Sequence, residues 1–98
     1  MKALVTAYCA CALCCGSAGR LNAASSIPRV GLSIAAPRAV PFGTWVMIDI
    51  PGVGRIRRRV DDRTASRYDG RWDVFVATHR EAIHFGIHRA TISIQPTQ

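Results

Sequence analysis
The sequence predicts a mainly β domain closed into a small barrel with one short helix, and three observations predict it. The first is length: 98 residues are near the small end of what supports its own core, so residues 1–98 read as one domain and a compact closed barrel suits them where a second domain does not. The second is periodicity, with apolar and polar residues alternating from Thr44 to Ile50 and again from Arg89 to Ile94, as half-buried strands require. The third is punctuation: Pro51-Gly52-Val53-Gly54 turns the chain back into Arg55 to Val60 as an antiparallel partner. A hydrophobic fraction of 49% is ordinary for a folded chain and argues against disorder.

Taken in order, Met1-Lys2 leads into an apolar run through Cys15. With Gly16-Ser17-Ala18 behind it, this run has the outline of a signal peptide, but Leu4 to Cys9 also reads as the first strand, and the run is too short for a membrane span. Without a signal, export falls to a partner such as a lysis system or to assembly into a particle. Cys9, Cys11, Cys14 and Cys15 form a C-x-C-x-x-C-C cluster. Zinc is disfavoured because adjacent Cys14 and Cys15 would both have to turn inward; local disulfides and reduced thiols packed as small apolar groups are the alternatives.

Gly16 to Gly31 shifts to Gly, Ala, Ser, Asn and Pro and reads as a long loop across the barrel mouth. Val30 to Ala35 is a short strand, which Pro37 and Pro41 confine to a sheet edge or a bend before Phe42-Gly43-Thr44 turns into the next strand. From Thr44 to Ile50, Trp45, Met47 and Asp49 share one face, and Val46, Ile48 and Ile50 share the other, which is the core face. Arg58 breaks the alternation of Arg55 to Val60, which predicts a bulge or an exposed edge there. Thr78-His79-Arg80-Glu81 is a capping box opening a helix to about Phe85, with Ala82, Ile83 and Phe85 packed on the barrel and Gly86 as the stop. Glu81 is therefore a cap and not a catalyst, and His79 and His84 belong to the surface.

Chemistry concentrates between Val60 and Val76, VDDRTASRYDGRWDVFV, which carries four of the six acidic residues of the chain. Asp62 follows a strand pattern and Asp73 opens another, so both carboxylates stand where strand meets loop, the usual place for functional groups. Tyr68-Asp69-Gly70 is a turn signal that lets the segment fold back and bring the two together. Converging carboxylates disfavour each other's ionisation and can hold different protonation states. The bland alternative is that Asp61, Asp62 and Asp69 are turn formers paired with surface arginines.

A series of short motifs spans nearly the whole chain: Thr6-Ala7-Tyr8-Cys9, Cys14-Cys15-Gly16, Pro37-Arg38 with Pro41-Phe42-Gly43-Thr44, Val60 to Asp62, Arg71-Trp72-Asp73-Val74-Phe75, and His79 with Glu81-Ala82 and Phe85-Gly86. In this order they resemble the three-aspartate (3D) domain family, whose six-stranded double-psi β-barrel also forms the C-terminal part of a membrane-bound lytic transglycosylase. The resemblance implies that Asp62 and Asp73 match the family's second and third aspartates, with Asp73 in the place of the catalytic acid. Ala36 stands where the first aspartate is expected, and Arg63-Thr64-Ala65 replaces the glycines that follow the second. Tyr68 and Trp72 stand beside the paired aspartates, where flat rings suit stacking on sugar faces, with the core as an equal alternative for Trp72; together with Arg71 and Thr44 they are the candidate substrate-binding residues.

The function this implies is cleavage of the peptidoglycan bond between N-acetylmuramic acid and N-acetylglucosamine, with Asp73 as general acid and base, Asp62 as its neighbour, and no cofactor or metal. The alternative is a non-catalytic glycan-binding or structural barrel of a virion or cell-wall complex, and the corresponding locations are cell wall, periplasm or phage particle. A formal charge of +7, all but Lys2 of it on arginine, favours anionic partners. Nucleic acid at Arg55 to Arg59 is disfavoured because base-stacking aromatics are not interleaved there.

Overall fold
The computed structural model describes residues 1–9, 27–64 and 70–95. Six strands, β1 (Lys2–Tyr8), β2 (Ser33–Ala36), β3 (Trp45–Ile50), β4 (Gly54–Arg63), β5 (Trp72–Phe75) and β6 (His88–Ile94), close into a barrel in the order β1-β5-β2-β4-β3-β6. A short helix, α1 (His79–Phe85), joins β5 to β6. The mainly β barrel with one short helix is thus the fold class expected from the sequence. Two neighbouring pairs run parallel, β1 with β5 and β2 with β4.

The alternation of β3 is realised as expected: Val46, Ile48 and Ile50 are at most 1% exposed. They meet Val5, Ile34, Ala36, Val60, Val74, Ala90 and Ile92 in a single cluster of inward side chains. Trp72 belongs to the same cluster at 1% exposure, which decides between its two expected places in favour of the core and against the groove. It precedes Asp73 on a strand, so the two side chains leave opposite faces and the larger, apolar one takes the interior. Ala36 is likewise fully buried in this core.

The arginine run also differs from expectation. Arg55 to Arg59 pair residue for residue with Asp49 to Trp45, and β4 lies between β2 and β3, so it is neither bulged there nor an edge. Closure of the barrel leaves no edge to protect. Arg58 stands opposite the buried Val46 and is half-buried, and desolvation holds its guanidinium below the usual arginine value. Its Nη1 donates to the Arg57 carbonyl at 2.9 Å. Arg57 lies over the Trp45 ring at 4.1 Å, and its Nε donates to Gln95 Oε1 at 2.6 Å.

The bulge falls further along β4. Ile34 pairs with Val60, but the next residue, Ala35, pairs with Asp62, leaving Asp61 as the extra residue of β4. The β2 strand begins at Ser33, later than the sequence indicates, because Leu32 and Ser33 donate their amides to the Arg29 carbonyl in a turn.

The cap of α1 forms as read: Thr78 Oγ1 accepts from the Glu81 amide at 3.1 Å, Thr78 and Glu81 side chains meet at 3.3 Å, and Gly86 ends the helix at φ 72°. Ala82 and Phe85 are half-buried, but Ile83 is 66% exposed and does not pack as expected. Two residues three apart already cover the face that a seven-residue helix turns to the barrel. Cys9 is buried beyond the end of β1. Cys11, Cys14 and Cys15, most of the Gly16 to Gly31 loop, and Tyr68 with Asp69 lie outside the described residues. No helix of the described residues is long and apolar enough to cross a membrane.

Candidate active site
The bulge decides which carboxylate faces which. In unbroken register Asp61 would stand beside Ala35. The extra residue advances the strand by one, so Asp62 takes that place. On the other side of β2, Ala35 pairs with Asp73 of β5, and Asp73 in turn pairs with Thr6 of β1. One row across the barrel therefore reads Thr6, Asp73, Ala35, Asp62. Its two aspartates are separated by two strand spacings, about 10 Å between backbones, with a small alanine between them.

Both carboxylates are held from β1. Thr6 Oγ1 donates to Asp73 Oδ1, and the Tyr8 hydroxyl donates to Asp62 Oδ2 at 2.8 Å. Thr6 and Tyr8 are two apart on one strand and so share a face. The Tyr8 ring is itself braced edge-on against Phe75 at 5.3 Å. Asp62 also accepts from the Arg63 amide through Oδ1 at 2.8 Å.

The two acids differ in environment. Burial raises the Asp73 carboxyl from 3.8 to about 6; Arg71 draws it down and Asp62 adds a smaller upward push. Desolvation disfavours the charged form, and here it outweighs the neighbouring cation. Asp73 can therefore carry a proton in mildly acidic solution and give it up near neutrality, as a general acid and base must. Arg71, placed in the groove by sequence, thus acts on Asp73 through its charge. Replacing it tests this: Arg71→Gln should move the Asp73 titration upward from about 6, read from its side-chain carboxyl resonance in an NMR pH titration.

Asp61, the bulged residue, is 4% exposed and does not share this row. Its Oδ2 accepts from Ser33 Oγ at 2.6 Å, and Ser33 Oγ accepts from the Arg29 amide at 2.9 Å. This buried chain ties the bulge to the start of β2. Ser33→Ala should lower stability by about 1–3 kcal/mol, as expected for removing one partner of a buried hydrogen bond, and shift the urea midpoint accordingly.

Of the other residues expected at the groove, Thr44 is half-buried beside the bulge, where its carbonyl accepts from the Val60 amide at 2.8 Å. Thr6, Tyr8, Phe42 and Arg63 were not singled out by sequence as site residues. The i, i+2 spacing of Thr6 and Tyr8 in a strand was a usable signal, but the parallel pairing that sets them beside the acids was not legible. Among the described residues no group of three or more His, Cys, Asp or Glu side chains is arranged to hold a metal ion.

The described residues thus form a closed six-stranded barrel with two tethered carboxylates in one row, and its fold has counterparts among solved structures. The barrel is similar to the crystal structure of MltA from E. coli, with a TM-score of 0.62 and 17% identity over 80% of this chain. A further crystal structure of E. coli MltA, described as revealing a unique lytic transglycosylase fold, matches equally. An apo form of an MltA variant matches at TM-score 0.56 and 15% identity over 78% of this chain. At these identities the likeness is one of fold, and the chain spans 28% of the length of each of the MltA chains it matches. No family model and no curated protein matches the sequence.

Proposed function
We propose that the barrel cleaves peptidoglycan glycan strands as a lytic transglycosylase, with Asp73 as the acid and base. The observation that carries this reading is a largely buried carboxyl, held by Thr6 and pushed up to about 6, on a barrel whose fold matches MltA. In such a reaction Asp73 protonates the glycosidic oxygen as the bond from C1 of the muramic acid breaks. Its carboxylate then takes the proton from the 6-hydroxyl of the same sugar as that oxygen bonds to C1, closing a 1,6-anhydro ring. Proton and electron pairs balance with one carboxyl and no water, unlike hydrolysis, which needs a second carboxylate as nucleophile or base.

Asp62 supports the step in two ways. Its charge contributes to the high Asp73 value, and its fixed position, between Tyr8 and the Arg63 amide, lets it orient the sugar by accepting from a hydroxyl. Arg71 keeps the Asp73 carboxylate accessible after the first proton transfer.

A second reading, a barrel that binds glycan without cutting it, draws on Ala36. This residue lies in the apolar core, and the position where the family resemblance expects the first aspartate supplies no carboxyl here. Mass spectrometry of material released from isolated peptidoglycan separates the two: 1,6-anhydro-muropeptides support cleavage, whereas co-sedimentation with the wall and no released product supports binding. Neither release nor sedimentation removes both.

A further inference from the structure
Trp72 is buried in the core and offers no aromatic surface to a sugar. Phe42 lies in the turn before β3, anchored where the Gly43 amide donates to the Val60 carbonyl at 2.7 Å, and the residue is 44% exposed. The Arg63 guanidinium lies over this ring at 3.9 Å from its centroid. Arg63 follows Asp62 directly, gives its amide to the Asp62 carboxylate at 2.8 Å, and reaches the Asp62 carbonyl with Nη1 at 3.4 Å. An exposed ring and a guanidinium thus stand as one unit at the end of β4, one residue beyond Asp62, and Arg63 opens the Arg63-Thr64-Ala65 stretch that replaces the glycines of the family resemblance.

A guanidinium stacked on an aromatic face keeps its N–H donors in its own plane, where they match a carboxylate. The apolar ring beside it suits the C–H face of a sugar. Resting on the reading of the barrel as a peptidoglycan-active site, the geometry points to Phe42 and Arg63 as a subsite for a carboxylate-bearing muramic acid unit, the ring contacting the sugar and Arg63 the carboxylate. That carboxylate has two sources: the lactyl group of a strand stripped of its peptide, or the stem peptide where one is attached. Neutral glycans of the chitin type lack both.

The test is calorimetric titration of the full chain with three soluble ligands: N-acetylglucosaminyl-N-acetylmuramic acid with a free lactyl carboxylate, its lactyl methylamide, and the same disaccharide carrying a dipeptide. None contains the bond to be cleaved. A charged ligand should bind about tenfold more tightly than the methylamide, the worth of one charge-assisted hydrogen bond, and the tighter of the two charged ligands identifies the source. Arg63→Gln should abolish this preference and Arg63→Lys should retain part of it, while Phe42→Ala should weaken all three alike, with each variant checked for an unchanged melting profile.

Equal binding of all three by the wild type, or a preference that survives Arg63→Gln, overturns the carboxylate assignment, and Phe42→Ala binding as the wild type does overturns the role of the ring. If the wild type releases anhydro-muropeptides yet shows no preference, this inference fails and the proposed function stands. If it neither binds nor cleaves, both fall.

Discussion
Asp73→Asn should reduce release of anhydro-muropeptides by about a hundredfold to ten-thousandfold, the usual contribution of a general acid and base. Asparagine keeps the volume and can still accept from Thr6, but it neither gives nor takes the proton. The pH dependence sharpens this expectation. Cleavage requires the protonated carboxyl, so the wild-type rate should fall through about pH 6 as the solution is made more alkaline. Asp62→Asn, which removes the smaller upward push, should move that limb toward lower pH.

Stability should respond in a linked way. The folded-state value of about 6 stands above the ordinary 3.8, so between those values the folded chain holds a proton that the unfolded chain has released. By linkage, the Asp73 contribution makes the folded state less stable as pH rises through that window, and it levels off above about 6. Asp73→Asn should lose this slope and be at least as stable as the wild type at neutral pH, as judged by denaturant unfolding across the pH range. An inactive variant that is also less stable at neutral pH would point to a structural and not a catalytic role.

Trp72→Ala should have the largest effect on stability, about 3–5 kcal/mol, the range for truncating a buried Trp or Phe to alanine. The ring is 1% exposed and touches the core shared by β1, β2, β3, β4 and β6, so little can collapse into the space it leaves. Against a total of about 5–15 kcal/mol for a native domain, such a loss is a large share of the stability, and at the low end of that range it leaves much of the chain unfolded at ambient temperature. Guanidinium unfolding measures it directly. Trp72→Phe, which retains an aromatic ring, should cost much less. Were Trp72 a sugar platform, Trp72→Ala would instead spare the fold and weaken glycan binding.

Much of this architecture was legible in residue order. Strict alternation identified Val46, Ile48 and Ile50 as core, because a strand sends successive side chains to opposite faces whatever its partners are. The Thr78 and Glu81 cap was readable because it lies within one turn of backbone. Asp62 and Asp73 stood out because acids at strand ends are few in so basic a chain, and the family resemblance singled out the same pair.

Other features depend on pairings between distant segments, which local pattern does not encode. Trp72 beside Asp73 could face groove or core until β5 was seated between β1 and β2, when the sheet face took the decision. Arg58 read as a break in β4 because its alternation is judged against an assumed apolar interior; closure of the barrel instead tucks it, half-buried, opposite Val46. The sequence by itself determined the β class, the helix, the apolar face of β3 and the two acids. The tertiary structure alone decided the one-residue bulge at Asp61, the tethers from Thr6 and Tyr8, and the Phe42 and Arg63 pair. The physical reason is that strand register, and with it every side-chain neighbour across the barrel, is set by closure of the whole sheet and not by any strand within it.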